Sequence, residues 1–94
     1  MTYKEKYGNY TNFQNEHARK ALEFDKGELQ ILEAATRFQN DYAVRTGLAH
    51  SEIIERRDSL KKTIEYLEKL LASKGEIEDI TYRAYWLAVK DKEV

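Results

Sequence analysis

At 94 residues the chain is a single domain near the lower limit for a self-sufficient core, so partner surfaces are expected to matter to it. Lys and Arg number 16 against 17 Asp and Glu, a net charge of -1 that gives nucleic acid or an anionic membrane nothing to be drawn to. Cysteine and proline are both absent, which excludes disulfides, thiolate metal sites and a cysteine nucleophile, and leaves every internal helix stop to glycine, a cap or side-chain pattern.

Hydrophobic residues make up 41% and charged residues 35%, a balance suited to helices with one buried stripe and one solvated face. The opening Met1-Thr2-Tyr3-Lys4-Glu5-Lys6 has no apolar run behind it, and no stretch approaches the roughly 18 apolar residues of a spanning helix. A cytoplasmic protein with no membrane contact is therefore expected.

Residues 1–11 carry Tyr3, Tyr7 and Tyr10, which would line one stripe of a helix, but Gly8 and Asn9 interrupt it. The segment reads as an aromatic arm, loosely ordered or a short helical turn, that lays its tyrosines on the body. Thr11 and Gln14 match a capping box and predict a first long helix over 12–46. Its apolar positions Phe13, Ala18, Ala21, Leu22, Phe24, Leu29, Ile31, Leu32, Ala35, Phe38 and Tyr42 recur at three- and four-residue steps. Unbroken, it would be about 50 Å long at 1.5 Å per residue. Gly27 is its weak point, a place for a kink, and Asp25 to Glu28 could itself cap a new helix. Acids stand four residues before bases at Glu16 and Lys20, Glu33 and Arg37, and Asp41 and Arg45.

Arg45 to Ser51 forms the bend of a hairpin: Gly47 can take the left-handed conformation, and Ser51 can cap the next helix with Glu52 in its first turn. That second helix, 52–74, places Ile53, Leu60, Ile64, Leu67 and Leu71 on one face, with Arg57 as the polar exception, expected to snorkel or to pair with a carboxylate of another helix or subunit. Glu52 and Arg56, Asp58 and Lys62, and Glu65 and Lys69 repeat the acid-before-base order. Lys74-Gly75 should stop the helix, with Ile77 packing back on its last turn. Over 76–90 the period is ambiguous between strand and helix; with no partner strand in view we read a helix over 79–90, capped by Asp79, with Ile77, Ile80, Ala84, Leu87 and Ala88 as its face and a frayed charged tail behind it.

No motif for catalysis can be written. His17 and His50 are the two imidazoles; His17 reads as a surface histidine and His50 lies in the bend, neither with convergent metal ligands. The four glycines stand singly, so neither a Walker loop nor a dinucleotide fingerprint passes through them. No catalytic, cofactor or metal residue is assigned. The candidate interaction residues are Tyr3, Tyr7 and Tyr10 at one end and Tyr82, Tyr85 and Trp86 at the other, which an antiparallel hairpin brings to the same side; they cannot all face one small core. Weaker candidates for anion contacts are Arg19 and Lys20, and Arg56 and Arg57 among interleaved acids.

The expected architecture is all-α: a long antiparallel helical hairpin with a third, short C-terminal helix, assembled as a homo-oligomer because a two-helix seam buries too little on its own. The matching function is a non-enzymatic interaction protein that binds itself and a protein target. The alternatives are an oligomer that sequesters a small nucleotide-like ligand in intersubunit tyrosine and arginine pockets, and a nucleic-acid-associated regulator. In length, lack of cysteine and richness in lysine, glutamate, tyrosine and asparagine, the chain resembles many small phage or mobile-element accessory proteins. That resemblance of composition implies an accessory or inhibitory role.

Overall fold

The computed structural model describes residues 1–37, 47 and 50–94. Among these, four helices form: α1 Tyr3–Tyr7, α2 Tyr10–Arg37, α3 His50–Ala72 and α4 Ile80–Val89. Thr2 and Glu93 share an isolated antiparallel bridge, and no strand occurs among the described residues. The all-α class is as expected. The helices contribute to two compact units, one of Met1–Ala21 with Leu67–Val94 and one of Leu22–Tyr66. In the first, Thr11 near the start of α2 lies beside Gly75 just past the end of α3; in the second, Leu32 and Ala35 late in α2 pack with Ile53 early in α3. Within each unit the chain along α2 thus lies against the chain along α3.

The start of the chain corrects the expectation of a loose arm. Thr2 and Glu5 form a capping box, with Glu5 N–H donating to Thr2 Oγ1 at 3.2 Å and the Thr2 N–H reaching the Glu5 carboxylate at 3.4 Å. Gly8, at φ 81°, ends α1 by donating its N–H to the Lys4 carbonyl. Asn9 then accepts from the Asn12 N–H at 2.9 Å, so α2 starts at Tyr10 rather than near Asn12. The Thr11–Gln14 capping box does not form, because the cap two residues upstream leaves both inside the helix. α2 is a single helix across Gly27, and no new helix starts at Asp25.

Most of the expected bend lies outside the described residues, as do Phe38, Tyr42 and the Asp41 and Arg45 pair. Gly47 has φ 68°, the left-handed conformation its position predicts. α3 begins at His50, so Ser51 is a helical residue and not its cap. Ile53, Ile64, Leu67 and Leu70 are its buried residues, with Leu60 and Leu71 half-buried. Arg57 has its partner on its own helix: the Nη2 and Nε groups reach Asp58 Oδ1 at 3.2 and 3.3 Å. Beyond Ala72 the chain turns through Lys74 at φ 54° and Gly75 at φ 93°. Ile77 remains exposed instead of packing back.

Asp79 caps α4 as expected, accepting from the Thr81 and Tyr82 N–H groups at 2.9 and 3.1 Å. The face it buries is the other one. Trp86 is buried with Tyr82 and Val89 against it, whereas Ile80 is 87% and Leu87 57% exposed, and Ala84 and Ala88 are exposed as well. Two apolar faces competed for one core, and the aromatic face, with more area to remove from water, won. Nor is the tail frayed. The Tyr3 and Lys4 N–H groups, which a helix start leaves without intrahelical partners, donate to the Lys92 and Lys90 carbonyls at 3.0 and 2.8 Å, and the Val94 N–H donates to the Met1 carbonyl at 3.0 Å.

Candidate functional site

The six aromatic residues singled out in the sequence all belong to one unit, and the structure brings them together around Phe13, which is fully buried. Tyr7 meets the Phe13 ring edge-on at 5.2 Å, Trp86 lies at 5.1 Å and Tyr85 at 5.3 Å, while Tyr3 stacks on Tyr7 at 6.2 Å. His17, read as a surface residue, is instead half-buried within the cluster, its ring 4.2 Å from that of Phe13 and its Nδ1 2.9 Å from the Phe13 carbonyl. This cluster is packing: Tyr10 and Trp86 are buried, Tyr3, Tyr7 and Tyr82 half-buried, and Tyr85 keeps 44% of its surface.

The residue that organises this end was missed in the sequence. Gln14, fully buried, places its carboxamide against the connection between α3 and α4. Its Nε2 donates to the Ile77 carbonyl at 3.1 Å, and its Oε1 accepts from the Asp79 N–H at 2.9 Å and from the Tyr10 hydroxyl. One side chain thus satisfies a carbonyl and an N–H two residues apart, much as a neighbouring strand would, and fixes where α4 begins. Tyr10 also reaches the Asp79 carbonyl at 3.2 Å and carries the Arg83 guanidinium 4.6 Å over its ring. Burial first, and then the charge of Glu78, hold the Tyr10 hydroxyl above the usual tyrosine range, with Arg83 pulling the other way. A single amide four residues after Tyr10 on an apolar face was the available signal.

The candidate anion contacts fare unequally. Arg19 lines a polar hollow of about 430 Å³ with Lys6, Tyr7, Asn12, Asn15 and Glu16. Lys20 does not line it; its ammonium is 3.3 Å from Glu16. In the other unit, Arg56 lines a hollow of about 540 Å³ that also holds Glu28, Glu52 and Glu55, an acidic setting in which a phosphate would be repelled, and Arg57 is engaged by Asp58. Among the described residues, no three His, Asp or Glu side chains converge as metal ligands would, and no helix is long and apolar enough to cross a membrane.

Among the described residues, the outer side of α4 is open on the surface. Ile80, Thr81, Ala84, Leu87 and Ala88 are all exposed and none is charged; the one charged side chain in the helix, Arg83, sits at its edge, 3.9 Å from Glu78. A hollow of about 260 Å³ lies along this side between Glu78, Ile80, Arg83, Ala84 and Leu87. A helix apolar on all sides normally has all its sides covered. Phe24 and Ile31 on α2 are a second exposed apolar pair. No family model, curated protein or solved structure matches the chain.

Proposed function

We propose that this is a non-enzymatic interaction protein that acts as an accessory or inhibitor by docking helical surfaces onto protein partners, and that α4 is its main docking element. The observation that carries the reading is the uncharged, exposed face of Ile80, Ala84, Leu87 and Ala88 on a helix whose other face is already buried by Trp86. Gln14 and the Asp79 cap hold that helix in place, so the face is presented on a rigid element. The six aromatic residues support it from beneath; Tyr85 alone among them has enough free surface to border the contact. The test is crosslinker-assisted capture from the source cell with the parent chain and with Ile80→Glu and Leu87→Glu. Proteins captured by the parent are lost with both variants; capture that survives both substitutions refutes the reading.

A second reading has its own observation. Lys6 and Arg19 face one hollow with Tyr7, Asn12 and Asn15, two cations against the single acid Glu16. This set suits a small anionic, nucleotide-like ligand. A thermal-shift panel of nucleotides should raise the melting point of the parent chain and not of Arg19→Ala; a flat panel excludes the ligand reading. Because Tyr10 is buried, its truncation would damage the fold and tells nothing about ligands.

A further inference from the structure

We infer that the hollow between α1 and α2 binds a phosphate chain and makes no use of a base: its ligand is inorganic pyrophosphate, or a nucleoside polyphosphate held by its phosphates alone. The inference rests on the ligand reading of that hollow and adds which part of the ligand is recognised. Lys6 and Tyr7 end α1, and Asn12, Asn15, Glu16 and Arg19 recur at three- and four-residue steps along one face of α2. The elbow between the two helices is tied, because the Asn12 Nδ2 donates to the Tyr7 carbonyl at 2.9 Å and the Asn12 N–H donates to Asn9 at 2.9 Å. The walls of the hollow are therefore formed before a ligand arrives.

The charges around it are unequally paired. Glu16 is held by the Lys20 ammonium at 3.3 Å, and Glu5, beside Lys6 in the chain, accepts from the Thr2 hydroxyl at 3.0 Å. Arg19 makes no ion pair or hydrogen bond among the described residues, although Glu16 stands three residues before it and Glu23 four after. Lys6 places its ammonium 5.2 Å over the Tyr7 ring and, among the described residues, on no carboxylate. Asn15 has its Oδ1 buried, so the end of the carboxamide that it can offer a ligand is the Nδ2 donor. Two unpaired cations and an amide N–H thus line one hollow, and a phosphate, which accepts hydrogen bonds on every side, matches them. A base finds no such place. Tyr3 stacks on the Tyr7 ring at 6.2 Å, Phe13 meets it edge-on at 5.2 Å and Lys6 lies over it, so a stacking base would have to displace a side chain already there.

Isothermal titration of the 94-residue chain with sodium pyrophosphate, ATP, GTP and adenosine tests this. The three phosphates should bind with affinities within about threefold of one another, and adenosine should not bind. Arg19 and Lys6 are exposed, so their truncation leaves the fold intact; Arg19→Ala should weaken pyrophosphate about tenfold and Lys6→Ala a few-fold. Lys62→Ala removes the same charge from an exposed position of α3 and should change the affinity by less than about twofold. Lys20→Ala, which frees the charge of Glu16 to repel the ligand, should weaken binding a few-fold, and Glu16→Gln added to the same chain should restore it. A loss with Lys62→Ala as large as with Arg19→Ala overturns the inference, as diffuse attraction to charge. Binding of ATP without pyrophosphate, or of adenosine, overturns it and leaves the ligand reading standing; no binding of any of the four removes both.

Discussion

Replacing Gln14 by glutamate changes one donor into a titratable group and leaves the shape of the side chain alone. The buried carboxamide donates to the Ile77 carbonyl and accepts from the Asp79 N–H and the Tyr10 hydroxyl. A protonated Glu at this position reproduces all three bonds, whereas an ionised one loses the donor to Ile77 and sets a buried negative charge against a carbonyl oxygen. The folded state therefore holds the proton, and the folded pKa lies above the unfolded value of about 4.3. Stability equal to that of the parent is present below that value and is lost as pH rises. If the protein keeps the proton throughout, the cost at pH 7 is about 1.4 kcal/mol for each pH unit above 4.3, or about 3.7 kcal/mol. That is a large share of the roughly 5 to 14 kcal/mol expected for a domain of this size. Urea unfolding followed by Trp86 fluorescence, with parent and Gln14→Glu compared at pH 4 and pH 7, should give near-equal stabilities at the lower pH and a deficit of about 3 kcal/mol at the higher, capped by the protonation limit. A deficit that is the same at both pH values to within about 0.5 kcal/mol would refute the bonding assigned to Gln14.

Two further outcomes follow from the same end of the chain. Tyr10 holds its proton above the usual tyrosine range, so its contribution to stability is complete below about pH 10 and falls as pH rises through the folded value; an absorbance titration of the seven tyrosines should show one lagging behind the exposed ones, and Tyr10→Phe should remove it. Gly75 has φ 93°, and a Cβ there would come within 3.0 Å of Thr11 Cγ2, so Gly75→Ala should cost more than about 1 kcal/mol. Gly27→Ala, in open space inside α2, should stabilise by about 0.5 to 1 kcal/mol; denaturation midpoints check both signs.

Period, caps and glycines made much of this fold legible. The long helices, the left-handed Gly47, the stop at Lys74-Gly75 and the Asp79 cap all follow from local chemistry that depends on a few neighbouring residues. The capping box of Thr2 and Glu5 was equally legible, a Thr followed by a Glu three residues on, but the helix it starts is only 5 residues long before Gly8 ends it, too short to show a period of its own. What the sequence could not resolve was competition. α4 carries two apolar faces of similar period, and which one turns inward depends on the shape of the surface that Phe13, Tyr7 and His17 offer it, a property of residues far away in the chain. Gln14 was open to the same ambiguity, since the spacing that suits a capping box also suits a buried amide, and the Asn9 cap upstream decides between them. For the candidate site the consequence is an inversion. The conspicuous aromatics went to the core, and the plain aliphatics of the same helix were left facing out.

The claim that α4 docks through that outer face is tested most directly by the accessibility of its methyl groups to a soluble paramagnetic agent, read by NMR on the protein alone and with a partner that the parent chain captures. The methyls of Ile80 and Leu87 should broaden in the free protein and be shielded in the complex, while those of Ile31 and Ile77, exposed elsewhere, broaden in both. Ile80 and Leu87 methyls that broaden as strongly in the complex as in the free protein would contradict it.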